Sequence, residues 1–147
     1  MEQRLTLCNF LALRQAMRLV TQLYDGHLAP TGLRATQYSI LATLERTGPV
    51  TVQELADRLV LDRTTLTRNL APLQRQSLVA IQQGRDRRRR EIHLTSAGEA
   101  KRLEAHPLWM EAQRRFEGVY GQSKAEKLRR RLRRVVELST PLLSGVG

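Results

Sequence analysis

The segment from Leu78 to Gly98, LVAIQQGRDRRRREIHLTSAG, constrains the fold more than any other part of the chain. Val79 and Ile81 alternate with polar neighbours on the way out, and Ile92 and Leu94 do so on the way back, the period of two that marks a half-buried hairpin. Between the two runs lies a tip of almost pure charge. Arg85, Arg87, Arg88, Arg89 and Arg90 crowd around Asp86, and Gly84 supplies backbone freedom for the turn. Five guanidiniums on a narrow loop repel one another, so folding alone gives no reason to collect them. A polyanion does.

The whole chain shares this bias: 25 Lys plus Arg stand against 14 Asp plus Glu in 147 residues, a net charge of +11. Such an excess favours a phosphate backbone or an anionic surface as partner and says nothing of the fold. No apolar run approaches the roughly 18 to 20 residues that span a bilayer. The opening MEQRLTLCNF lacks the basic-then-apolar order of a secretory leader, so a cytoplasmic protein with no membrane partner is expected. The single Cys8 excludes an internal disulfide and fits a reducing compartment. At 41% hydrophobic residues, one domain over 1–147 can bury a core unaided. Catalysis has little footing. His27, His93 and His106 are scattered without metal-ligand spacing, and neither a phosphate-cradling glycine loop nor a nucleophile elbow occurs. A non-enzyme without metal or cofactor is expected.

Ahead of the hairpin, helical periodicity dominates. Leu33 to Arg46 points Ile40, Leu41 and Leu44 inward, and Thr47, Gly48 and Pro49 end it. Thr51 and Glu54 have the spacing of a capping box at the start of the next helix, whose buried side is Val52, Leu55, Ala56 and Leu59. After the short link Val60 to Leu61, Asp62 caps a helix running to about Ser77 on Leu66, Leu70 and Leu73. At 100° per residue, Thr64, Arg68, Ala71 and Arg75 fall on the opposite face, flanked by Thr65 and Thr67. Two helices joined by a tight link, the second polar and positive near its start, match a helix-turn-helix whose recognition helix enters a major groove. Pro72 should kink or loosen the turn around Arg68, weakening the case for Arg75 more than for Thr64 or Arg68.

The terminal segments pose a burial problem. From about Leu5 to Leu28 two apolar rows run side by side: Leu5, Cys8, Ala12, Ala16, Leu19 and Leu23 form one, and Phe10, Leu13, Met17, Val20 and Tyr24 the other. Beyond the hairpin, Thr95 caps a long helix to roughly Tyr120, interrupted at Pro107, with Gly98 allowing close packing in its first turn. The last helix, about Ser123 to Leu138, repeats Leu128, Leu132, Val135 and Leu138. Packing the end helices on each other and on a second copy would bury both, with two-fold symmetry as the default. The arginines of that last helix, Arg129, Arg130, Arg131, Arg133 and Arg134, read as a solvated face or as intersubunit ion pairs.

The run from Asp86 through Arg88 to Ile92, His93, Leu94, Thr95 and Gly98 resembles the wing signature D-x-R leading into L-T-x-x-G of the multiple antibiotic resistance regulators, the MarR-type winged-helix transcription factors. The order of elements agrees from about Leu5 to Leu138. The resemblance implies a mainly α fold with a small β-hairpin wing. A winged helix-turn-helix lobe over about 33–98 would be flanked by dimerisation helices over about 5–30 and 99–140. It further implies a homodimer gripping a pseudo-palindromic operator in double-stranded DNA. Asp86 would brace the wing by pairing with a cation, and Arg88 would enter the minor groove.

Physical chemistry points the same way. A guanidinium suits a narrow minor groove and reads its width, and Arg85, Arg87, Arg89 and Arg90 suit phosphates. Thr64, Thr65, Thr67 and Arg68 are the major-groove candidates, with Arg68 best matched to guanine O6 and N7.

Relatives in the family answer to small, often aromatic or phenolic anions held between the dimerisation helices and the DNA-binding lobe. Tyr24, His27, Tyr38 and Trp109 are the candidates for such an effector pocket, and each reads equally well as a core residue. A repressor relieved by an effector is therefore expected. A subgroup of the family senses hydroperoxides through a cysteine in the first helix. Cys8 lies about half a turn upstream of that position, where Phe10 stands; Tyr24 aligns with one partner tyrosine, and Arg14 replaces the other. A redox-sensing regulator is thus one alternative. A basic RNA-binding protein is another, though the hairpin lacks stacking aromatics. A ligand-binding protein without DNA recognition would have little reason to keep the arginine-rich tip.

Overall fold

The computed structural model describes residues 7–143. Its elements, in order, are α1 (Asn9–Leu28), a 3-10 turn (Ala29–Thr31), α2 (Ala35–Thr47), β1 (Val50–Thr51), α3 (Val52–Leu59), α4 (Arg63–Arg75), β2 (Val79–Gln83), β3 (Arg90–Leu94), α5 (Ser96–Tyr120) and α6 (Gln122–Leu143). This is the mainly helical winged architecture with a small antiparallel sheet. Two compact units are resolved, a first ending at Trp109 and a second beginning at Met110.

In the first unit, α2, α3 and α4 surround one core. Ile40, Leu41, Leu44, Leu55, Leu66 and Leu73 are at most 1% exposed, joined from the sheet by Val79 and Ile92. Each such side chain contributes about 1.5–3 kcal/mol by leaving water. The hairpin register pairs Val79 with Leu94 and Ile81 with Ile92, so the apolar residues of both strands share one face. A third strand has no counterpart in the sequence reading. Val50 pairs with Ile92 and Thr51 with Glu91, giving the order β1-β3-β2. Two residues are too short for a periodicity signal.

The caps match the sequence. Glu54 N–H donates to Thr51 Oγ1 at 3.2 Å while Glu54 Oε2 accepts the Thr51 N–H at 2.8 Å. Thr95 Oγ1 accepts the Gly98 N–H at 3.0 Å and donates to the Ser77 carbonyl at 2.6 Å, fixing the start of α5 against the end of α4. Asp25 Oδ1 accepts the Ala35 N–H at 2.8 Å and so ties α1 to the start of α2.

Several boundaries differ from expectation. The first helix starts at Asn9, with Cys8 as its extended N-cap, and Leu5 lies outside the described residues. Pro107 does not interrupt α5, which runs unbroken to Tyr120. A proline removes one donor four residues ahead of the carbonyl it would have served. Here that carbonyl belongs to Leu103, a residue 55% exposed, so water can take the missing place. Helix α4 likewise continues through Pro72 to Arg75, with Arg68 exposed. In the second unit α6 extends past Leu138 to Leu143. Arg129 pairs with Glu117, Arg130 with Glu126 and Arg134 with Glu137, so part of its arginine cluster is neutralised within the chain. No helix among the described residues is long and apolar enough to cross a membrane.

Candidate nucleic-acid interface

The wing tip is a loop held by its own backbone. Gly84 N–H donates to the Arg89 carbonyl at 2.8 Å and Arg89 N–H to the Asp86 carbonyl at 2.9 Å, closing the turn from both sides. Asp86, expected to brace the loop by pairing with a cation, forms no ion pair among the described residues. Its Oδ1 accepts the Arg88 N–H at 3.0 Å, the Asx-turn geometry that a short carboxylate at a turn start provides. Gly84 does not adopt positive φ either. What it provides is room, since a Cβ there would lie 2.7 Å from the Glu91 side chain.

The arginines divide. Arg85, Arg87, Arg88 and Arg90 are exposed and form no ion pair among the described residues. Arg89, expected to reach for phosphate with the others, instead donates to Glu54 Oε1 at the start of α3. Hydrogen bonds from the Thr51 amide and the Arg89 guanidinium hold the Glu54 carboxyl below the usual carboxylate range.

On α4, the expected recognition helix, Thr64, Thr67, Arg68 and Arg75 are exposed, whereas Thr65 is half-buried. Thr65 is committed to the cap: its hydroxyl donates to Asp62 Oδ1 at 2.6 Å and its N–H to Asp62 Oδ2 at 2.9 Å. These bonds lower the Asp62 carboxyl from its ordinary value, the hydroxyl contributing most. Arg63, at the first helical position and exposed, belongs to the same surface and is absent from the sequence candidates. The signal for it is its place directly after the cap, since the first residues of a recognition helix are those that reach bases. Val60, in the link from α3, takes φ 53°, a left-handed conformation costly for a β-branched residue.

His93, between Ile92 and Leu94 on β3, is largely covered. Its side chain is 31% exposed, and Nε2 is buried without a hydrogen bond, 3.8 Å from Glu91 Oε2. Leu44 and Glu45, near the end of α2, and Pro49 line a shallow groove with it.

Of the four residues singled out for an effector, three meet. Tyr38 stacks on Trp109 at 5.7 Å and Tyr24 tilts against the same indole at 6.4 Å. His106, not among the sequence candidates, completes the cluster by stacking on Trp109 at 5.9 Å and bonding Tyr38 Oη through Nδ1 at 2.9 Å. Burial raises the Tyr38 hydroxyl pKa, against the opposing pull of the Arg102 guanidinium. Arg102 is itself held by a two-pronged bond to Glu99. His27 bonds the Leu23 carbonyl of its own helix at 2.9 Å. Cys8, half-buried, precedes α1 and sits 16 residues from Tyr24, roughly 24 Å along the helix axis at ~1.5 Å per residue. One chain therefore does not bring that tyrosine to that thiol. No group of three or more metal-ligating side chains occurs among the described residues.

Residues 31–90 match the model of the MarR family. A curated relative, the HTH-type transcriptional regulator YwoH of Bacillus subtilis, is 33% identical over 89 residues, which span 60% of this chain and 65% of that protein. Among solved structures, the Mycobacterium tuberculosis transcriptional regulator MosR in complex with DNA is 36% identical. It superposes with a TM-score of 0.82, covering 92% of this chain and 98% of its own. The transcriptional repressor CouR, bound to a 23-mer DNA duplex, shares the fold at a TM-score of 0.81 and 24% identity, over 90% of this chain and 94% of its own. With these matches laid over the capped helix pair and the wing, the chain belongs to the MarR family of winged-helix transcriptional regulators, not to an enzyme family.

Proposed function

We propose that the chain works as a homodimer that grips a pseudo-palindromic operator in double-stranded DNA and represses the genes beside it. The observation that carries this reading is the wing tip, where exposed Arg85, Arg87 and Arg88 are presented on a loop fixed by backbone bonds, with exposed Arg90 at the start of β3. Arg88 enters the minor groove, and the other three touch phosphates. Thr64, Thr67 and Arg68 face the major groove, with Arg68 suited to guanine. The DNA complex of MosR supports a duplex partner for this chain.

Exposed apolar residues at both ends support the second copy. Phe10 is 72% exposed and Met17 65% on α1, and Leu132, Val135 and Leu138 are exposed on α6. A second subunit is the simplest way to take such surface from water.

Relief of repression is assigned to a small aromatic anion bound at Tyr24, Tyr38 and Trp109, with His27 at the rim. Because these rings pack on one another, a ligand has to part them. It would act by favouring a dimer whose recognition helices no longer match major grooves about 34 Å apart.

Gel-shift titration with the DNA upstream of the gene, against scrambled duplex and structured RNA, tests the reading. One short inverted repeat should be preferred. Arg88→Ala should erode that preference, and Arg68→Ala should lower it about 10- to 100-fold, the range expected when a bidentate guanine interaction is removed. Equal binding to every polyanion would overturn the assignment.

A further inference from the structure

The pairing of Arg89 with Glu54 commits one of five wing arginines to a carboxylate of its own chain. Strand β1 supports β3 only as far as the Thr51–Glu91 pair. Beyond Glu91 the hairpin is a two-stranded ribbon, and such ribbons twist more readily than wider sheets. Arg89 lies two residues past that last pair, and its guanidinium reaches back to the first turn of α3. Glu54 divides its carboxylate there: Oε2 takes the Thr51 amide and Oε1 takes Arg89. Thr51 is both the end of β1 and the cap of α3, so the carboxylate joins strand, helix and wing at one point. Both side chains are about half exposed, at 51% and 45%. A pair this wet contributes little to stability, and its consequence is geometric.

We infer that Glu54 is a positioning residue for DNA recognition, latching Arg89 to the start of α3 and so setting the angle at which Arg85, Arg87 and Arg88 meet the duplex. The inference rests on the DNA-binding reading above. It assigns Arg89 to the protein and not to phosphate.

The test is a double-mutant cycle in the full-length chain, read as operator affinity relative to scrambled duplex across a salt series. Glu54→Gln keeps an acceptor for the Thr51 amide while removing the charge, and Arg89→Gln removes the guanidinium. Each should weaken operator preference about threefold per wing, hence about tenfold for two wings, within the range of exposed ion pairs. The double variant should be no worse than either single one, and the salt slope of Arg89→Gln should stay at the parental value. Thermal midpoints of the variants should also stay close to the parent, since the cap is kept.

Additive losses would overturn the latch. So would tighter operator binding by Glu54→Gln, because Glu54 would then be a competitor for Arg89. A fall in slope of about 1.8 for Arg89→Gln, ~0.9 for each phosphate no longer neutralised, would make Arg89 a phosphate ligand and overturn it too. Arg88→Ala run alongside separates the two levels. Full operator preference in Arg88→Ala would sink the DNA reading itself, whereas loss of preference there with an additive cycle would sink the latch alone.

Discussion

Gly98 lies against the carbonyl of Leu78: a Cβ built on Gly98 would stand 2.0 Å from Leu78 O and 2.7 Å from Cδ1 of Leu94. The same carbonyl accepts the Thr95 N–H at 3.2 Å, so it cannot retreat without breaking the junction between α4, the hairpin and α5. Gly98→Ala should therefore destabilise the fold by about 2–3 kcal/mol, the upper part of the usual overpacking range. Urea unfolding should show a lower midpoint at an unchanged m-value. A variant as stable as the parent would show that this approach is looser than described.

Acid sensitivity should trace to the helix caps. Asp62 is held below its ordinary carboxyl value by the Thr65 hydroxyl and amide, Glu54 by the Thr51 amide and Arg89, and Glu99 by Arg102. Groups whose folded pKa is depressed stabilise above their unfolded pKa and lose that contribution as pH falls through the folded value. Thermal midpoints should thus be flat from neutrality to about pH 5 and fall below it, past the unfolded carboxylate values. Asp62→Asn keeps a cap acceptor without the charge, so it should be somewhat less stable at pH 7 and lose less of its midpoint between pH 7 and pH 3. An identical acid profile in parent and variant would remove Asp62 from the account.

Self-association should depend on the apolar residues of α6. Val135 is 45% exposed and Leu132 38%. Leu132→Glu combined with Val135→Glu should shift sedimentation from dimer to monomer at micromolar concentration, with operator binding weakened in parallel. If the doubly substituted chain still sedimented as a dimer, the second copy would have to dock elsewhere.

Sequence alone discloses structure where one residue type has one physical use at its position. Thr51 with Glu54, Asp62 and Thr95 are all legible as caps because orphaned amides leave few alternatives. Val79, Ile81, Ile92 and Leu94 disclose their register because a slip of one residue would turn them all outward. Legibility ends where long-range geometry decides. Nothing local distinguishes Arg89 from Arg88, and only the placement of α3 beneath the tip commits one of them to Glu54. Thr65 resembles its neighbours in sequence, and only the cap claims its hydroxyl. Asp86 suggests a cation partner, yet the turn's own amide lies closer at hand. His106 carries no signal because its partner, Tyr38, is 68 residues away in the chain.

Thr51 ends β1 and caps α3, with no linker between strand and helix. Torque applied at the base of the hairpin, where β1 still supports β3, therefore passes through Thr51 straight into α3. On the docking proposed above, departure from a duplex would then be concerted, the base of the wing and the helix pair letting go in one event.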